Sequence, residues 1–296
     1  MNKGIWYGIG AYLCWGLFPI YWHWLHHVPA LQLLSHRIVW SFLILFVVIL
    51  FMRQWKEFRQ KIMIGHTLWI YLVAAILIGV NWMVYVWAVN AGFVIESSLG
   101  YFINPLLSVL LGVIILHERL RPMQWVPLGL AAFGVIFLSF VYGSPPWIAL
   151  TLATTFATYG LVKKMAPLGS LQGLTLETGI LFLPALLYLL FTEMTGVGAF
   201  IHTGTVSDIL LVGAGVVTTI PLLMFASAAQ RIPLSLVGVL QYISPTLQFL
   251  IGALLFKEPF THTQFIGYAI VWTALILFGL EGILSRRSQV VLAVAD

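Results

Sequence analysis

The chain has 296 residues, 61% of them apolar and 8% charged. Soluble domains average about 25% charged residues, so the composition excludes an ordinary water-soluble globule and points to an all-α, multi-pass membrane protein. Its net charge of +5 contains no run of like charge long enough to hold a polyanion, and a nucleic-acid partner is not expected.

Ten apolar stretches match the length needed to cross a hydrocarbon core of ~30 Å. They are placed at about 4–24, 33–52, 67–89, 97–116, 123–142, 146–162, 171–191, 208–229, 234–256 and 263–284. Breaks fall at Pro29, 53–61, 90–92, 118–122, 143–146, 163–169, 192–207, 231–233 and 257–259, where Gly, Pro and charge cluster. The N-terminal "MNKGIWYGIGAYLCWGLFPIYWHW" is too long and aromatic for a signal peptide and is taken as a retained first helix. Its Cys14 is the lone cysteine; it permits no internal disulfide and is taken as a small packed side chain. This span offers Tyr12, Trp15 and Pro19, with Trp15 deep within it.

The second span holds "LLSHRIVWSFLILF" (33–46). An arginine near a helix centre costs roughly 2.5–3.5 kcal/mol on insertion scales, less where it snorkels to an interface. Arg37 therefore either reaches headgroups or ties helices together, or it faces a central cavity and meets an anionic group with its planar fork. His36, about 100° further round the helix, is a packing residue or a proton-coupling candidate.

The third span presents Asn81, Tyr85 and Ala88 on one face, with Trp82 and Trp87 nearby. The fourth carries Tyr101, Asn104, Ser108 and Gly112 in steps of three or four, hence on one face; the ninth carries Gln241, Ser244, Gln248 and Gly252 in the same way. Pro105 and Pro245 accompany these stripes, and each frees a backbone carbonyl that needs another partner or water. A cavity wall explains both features, whereas helix-to-helix contact explains only the polar residues. The sixth span has Thr151, Thr154, Thr155 and Thr158 with Tyr159. Glu177 in the seventh, within "LQGLTLETGILF", is a proton carrier, a substrate-amine contact or a structural partner of a neighbouring helix. Glu118 and Glu258 end the fourth and ninth spans beside Arg119 and Lys257. Ion pairs fixing the helix ends are expected there, with gating the alternative.

With the N-terminus inside, all of the 14 basic residues except Arg37 and Lys257 fall in cytoplasmic segments: Lys3; Arg53, Lys56, Arg59 and Lys61; Arg119 and Arg121; Lys163 and Lys164; Arg231; Arg286 and Arg287. This satisfies the positive-inside rule and favours ten spans with both termini inside. At a constant offset of 140, "YFINPLLSVLLGVIILHERLRPMQW" (101–125) aligns with "QYISPTLQFLIGALLFKEPFTHTQF" (241–265), matching Pro105 to Pro245, Gly112 to Gly252, Glu118 to Glu258 and Gln124 to Gln264. Asn90 stands over Gln230 in the same register, and Glu177 lies near the Arg37 position of the other half. Two five-helix repeats follow, 1–142 and 143–296, the second ending in a short cytoplasmic tail. An odd number of helices per repeat inverts one against the other, a plan common in secondary transporters.

Here the chain resembles a known family. "LLSHRIVWS", "GVNWMVYVWAVN", "ESSLGYFINPLLSVLLGVIILHERL" and "LVGVLQYISPTLQFL" are similar, nearly end to end, to the RarD-type permeases of the EamA branch of the drug/metabolite transporter superfamily. The resemblance implies an inner-membrane, exporter-type permease with a central cavity between the halves; it defines the substrate poorly.

No enzyme motif such as H-E-x-x-H, G-x-S-x-G or a P-loop occurs, so no enzymatic role, cofactor or metal is expected. The expected function is export of a small organic metabolite or drug by alternating access, with proton coupling through Glu177 or His36. The substrate site is expected at Arg37, Trp15, Asn81, Tyr85, Tyr101, Asn104, Ser108, Gln241, Ser244 and Gln248. The partners are the lipid bilayer and the solute; a monomer is compatible with the pattern. A facilitative channel or a non-transporting scaffold is the alternative.

Overall fold

The computed structural model describes residues 2–62, 65–91, 94–142, 147–257 and 261–295. Glu258, and the side chains of Asn90, Gln264, Arg286 and Arg287, lie outside the described residues. Among those described the chain is helical, with no strand. The helices are α1 (Lys3–Trp24), α2 (Ala30–Phe51), α3 (Trp55–Ile62), α4 (Gly65–Asn90), α5 (Val94–Ile114), α6 (Trp125–Tyr142), α7 (Trp147–Met165), α8 (Ser170–Met194), α9 (Thr205–Ala229), α10 (Leu234–Gln241), α11 (Ile243–Leu250) and α12 (His262–Ala295). Among the described residues, six apolar segments are long and apolar enough to cross a membrane: Ala30–Phe51, Gly65–Ala88, Pro122–Phe140, Ser170–Met194, Thr205–Ala229 and Leu234–Leu255. Shorter apolar runs occupy Gly100–Ile114 and Phe265–Glu281. Large apolar side chains such as Val47, Phe51, Phe140, Leu183 and Met194 point outward and are exposed, as befits a surface bathed in lipid rather than water.

Local chemistry sets the ends. The Asn2 side chain accepts the Gly4 N–H at 3.0 Å, capping α1. α5 closes with the Glu118 N–H bonded to the Gly112 carbonyl six residues back at 3.0 Å, and His117 just before it takes the left-handed region at φ 53°. Lys257, 140 residues on, has the same φ of 53°.

The bundle is made by close pairs. α2 packs on α8 and α9, α1 on α9 and α11, α4 on α7 and α8, α5 on α7 and α10, and α6 on α12. Glycine allows the tightest of these approaches. A Cβ on Gly215 of α9 would stand 2.6 Å from the Trp40 Cβ and 2.9 Å from the Ser41 nitrogen. With no side chain there, Ser41 Oγ donates to the Gly215 carbonyl at 3.1 Å, the close backbone contact that small residues provide between membrane helices.

Three features depart from the expected layout. The ninth span is not one smooth helix: α10 gives way to α11 at Tyr242, and Ile251–Leu255 is a π turn. Pro245 has no N–H to continue the ladder. The segment read as a loop after α2 forms the short helix α3, with Lys61 on Glu57 at 2.6 Å. Lys163, assigned to a cytoplasmic loop, lies in the last turn of α7 and is 0% exposed; a buried carboxylate across the bundle holds it there.

Candidate functional site

A cavity of about 280 Å³ lies where α1, α2, α4, α5, α7, α9 and the α10–α11 pair converge. Of the residues expected to meet a solute, Arg37, Trp15, Asn81, Tyr85, Tyr101, Asn104, Gln241, Ser244 and Gln248 line it together. Ser108 does not. It is buried, 3.4 Å from Asn104 Oδ1, because Gly238 lets α10 press on α5 there: a Cβ on Gly238 would meet the Ser108 Cβ at 2.9 Å.

Arg37 Nε donates to Thr218 Oγ1 at 2.9 Å. Its guanidinium carbon sits 4.8 Å from the Trp22 ring centroid and 5.2 Å from that of Trp82. Each such contact contributes about 0.5–2 kcal/mol, more where water is excluded, which offsets much of the cost of an arginine in a span. Among the described residues no carboxylate comes within 4.0 Å of it, and no other charged side chain lines the cavity. A guanidinium has five N–H donors. Thr218 takes one, and the η N–H groups have no protein acceptor among the described residues.

The amides are partly committed. Asn81 Nδ2 donates to the Leu152 carbonyl at 2.8 Å and to Thr155 Oγ1 at 2.9 Å, so it joins α4 to α7 and keeps Oδ1 as an acceptor. Gln248 Nε2 donates to the Trp15 carbonyl at 3.1 Å and to Ser244 Oγ at 3.3 Å, which ties α11 to α1. The Tyr85 and Tyr101 rings meet edge to face at 5.9 Å.

Neither coupling candidate lines the cavity. Glu177, 1% exposed, takes Lys163 Nζ at 2.7 Å and the Tyr159 hydroxyl at 2.9 Å. Tyr71 and Tyr159 flank the ammonium at 5.5 and 5.7 Å. Between this pair and the cavity lie packed rings: Tyr159 stacks on Phe225, which meets Trp15 at 5.6 Å, and Phe156 meets Trp15 at 5.7 Å. His36 is buried on the far side of α2, 5.2 Å from the Phe200 ring, with Nδ1 unpartnered among the described residues.

Glu118 departs from its expected pairing with Arg119. Its carboxylate accepts the Leu234 N–H at 2.6 Å, the Ser235 N–H at 2.9 Å and the Ser235 hydroxyl at 2.7 Å. It therefore caps α10 from the other half of the chain, where free N–H groups favour an anion.

Thr218, Trp22, Phe18 and Phe156 also line the cavity and were not singled out in the sequence. Thr218 had one available signal, a hydroxyl a turn before Pro221 in an apolar span.

A model of the EamA-like transporter family matches residues 2–140 and again residues 145–280. An uncharacterized transporter of Bacillus subtilis (strain 168), YojE, is 47% identical over 97% of this chain and 97% of its own. Protein RarD of Streptomyces exfoliatus is 44% identical over 97% of this chain and 92% of its own; Protein RarD of Escherichia coli (strain K12) is 39% identical over 97% of each. A solved crystal structure at 19% identity covers 94% of this chain and 98% of that one with a TM-score of 0.69, a likeness of fold alone.

Proposed function

The chain belongs to the EamA-like transporter family, and from that premise we propose that it is a secondary transporter of the inner membrane exporting a small organic metabolite or drug by alternating access. The single observation that carries this is the cavity built by helices from both halves, in which Arg37 is held on three sides by Thr218, Trp22 and Trp82 and lacks an acidic partner among the described residues. An anionic group of the solute completes that site, Tyr101, Asn104, Gln241 and Ser244 supply hydrogen bonds, and Trp15 and Tyr85 pack on its planar part.

Ten spans in two inverted five-helix repeats, with both termini inside, are supported by several features. The family model matches twice. The helix pairs exchange when the halves are exchanged: α1 on α9 answers α7 on α4, α1 on α11 answers α7 on α5, and α2 on α9 answers α8 on α4. His117 and Lys257 share one unusual backbone angle. Tyr242 reaches the carbonyl of Phe102, its counterpart 140 residues away, at 3.3 Å, as residues beside a pseudo-two-fold axis do.

With the N-terminus inside, the cavity occupies the outer half of the membrane. The ring cluster of Trp15, Phe156, Tyr159 and Phe225 closes it toward the cytoplasm, with Lys163–Glu177 below. Opening inward separates these rings. A proton on Glu177 would weaken its hold on Lys163 at that closure, which makes Glu177 the better coupling candidate than His36.

Untargeted mass spectrometry of medium from expressing and empty-vector cells names the solute, and counterflow in vesicles then tests the mechanism. A carrier drives labelled solute in against a gradient of unlabelled solute. Simple equilibration would make the protein a channel, and no released compound together with no exchange would leave a binding protein.

A further inference from the structure

On the opposite side of the α10–α11 wall from the cavity lies a larger groove, about 1,170 Å³. Its walls include Leu13 of α1, Leu240 and Leu247 of the α10–α11 pair and Trp272 and Ile276 of α12. Leu13 and Ile276 are exposed, so the groove opens sideways, to the surface that faces lipid. Its polar end is formed by Arg119, Arg121 and Gln124, with Glu118 behind. Two of these charges are already matched. Glu118 is spent on the α10 N-terminus, and Arg121 donates to Glu281 at 3.1 Å. Arg119 is exposed and has no ion-pair partner among the described residues.

A groove with apolar sides, open to the hydrocarbon, and an unmatched cation at its interfacial end is complementary to one amphiphile. We infer that it binds an anionic phospholipid from the leaflet on the N-terminal side of α1, with an acyl chain between α1 and α12 and the phosphate on Arg119. This rests on the chain spanning a membrane and not on its carrying a solute. The length fits. From Ile5 to Leu13, both in the groove, α1 rises about 12 Å, most of one leaflet's share of a ~30 Å core. The bound chain lies against the back of the helix pair whose front carries Gln241, Ser244 and Gln248. That pair is the one interrupted at Tyr242 and followed by the π turn, and the lipid braces it.

Native mass spectrometry of the purified full chain tests this with phosphatidylglycerol and phosphatidylcholine of matched acyl chains. One phosphatidylglycerol should be retained about fivefold more tightly than phosphatidylcholine, the preference expected for one interfacial cation. Arg119→Gln should reduce that ratio to about one. Gly279→Phe should remove the retained lipid of either kind, because Gly279 lines the groove and a Cβ there meets nothing within 4 Å, leaving room for a ring to fill it without displacing α12. Both variants should elute as single folded species. Equal retention of the two lipids by the unmodified chain, phosphatidylglycerol surviving in Gly279→Phe, or its displacement by inorganic phosphate would overturn the assignment.

Discussion

Lys163 and Glu177 form a pair with 0% and 1% side-chain exposure, so removing one partner strands the other. In Lys163→Met the Glu177 carboxylate keeps only the Tyr159 hydroxyl. Broken buried pairs typically cost 3–5 kcal/mol. Here the stranded acid has an escape, since taking up a proton at pH 7 from an ordinary glutamate pKa near 4.3 costs about 3.7 kcal/mol. That figure caps the loss, and Lys163→Met should destabilise the fold by roughly 3–4 kcal/mol. Glu177→Gln strands the ammonium between Tyr71 and Tyr159 and should cost a similar amount, about 3–5 kcal/mol. The double variant Lys163→Met/Glu177→Met buries no charge and should fall within about 1 kcal/mol of the unmodified chain, as apolar replacement of buried pairs often does. Equilibrium unfolding in mixed micelles, run as a double-mutant cycle, reads all three. Single variants losing under about 1 kcal/mol, or a double variant worse than either single, would refute a buried, water-excluded pair.

The other expectations concern the joints between halves. Glu118→Ala removes three hydrogen bonds to a charged acceptor from the start of α10; at about 1.5–3 kcal/mol for one such bond, a loss of at least 3 kcal/mol is expected by the same unfolding assay, with Glu118→Gln losing about half as much. Gly215→Ala puts a methyl 2.6 Å from the Trp40 Cβ, so α2 and α9 must part; overpacking of this kind costs about 1–3 kcal/mol and should lower the melting temperature, and no change would mean the helices are further apart than described. Counterflow by Lys163→Met/Glu177→Met should lose its response to a pH gradient while keeping exchange at symmetrical pH; a retained response would move proton coupling away from Glu177.

Much of the helical layout was legible because hydropathy and proline or glycine punctuation are local signals. The polar stripes of α5 and α10–α11 were legible too, since a 3.6-residue period puts Tyr101 with Asn104 and Gln241 with Ser244 and Gln248 on one face. What could not be read was which partner each buried group meets. Glu177 and Lys163 are 14 residues apart on different helices, and nothing local pairs them. Ser108 shares the stripe of Asn104 but is shut out by Gly238 from another helix. Glu118 has Arg119 next in sequence yet binds the start of α10, 116 residues on, because exposed helix N–H groups are a stronger claim on a carboxylate than a solvated arginine. The break at Tyr242 falls in the helix pair that forms one wall of the cavity, and the π turn at Ile251–Leu255 follows that pair; irregular backbone in a membrane protein is tolerated where it is buried in protein or borders a polar space.

The most direct test of the account is a comparison of small molecules released by cells making the unmodified chain, Arg37→Ala or neither, with membrane protein levels matched. At least one compound with an anionic group should be enriched outside only with the unmodified chain, while Arg37→Ala reaches the membrane at the same level and releases none. Equal release from Arg37→Ala would contradict it, by showing that the guanidinium held between Trp22 and Trp82 packs the bundle and does not bind the solute.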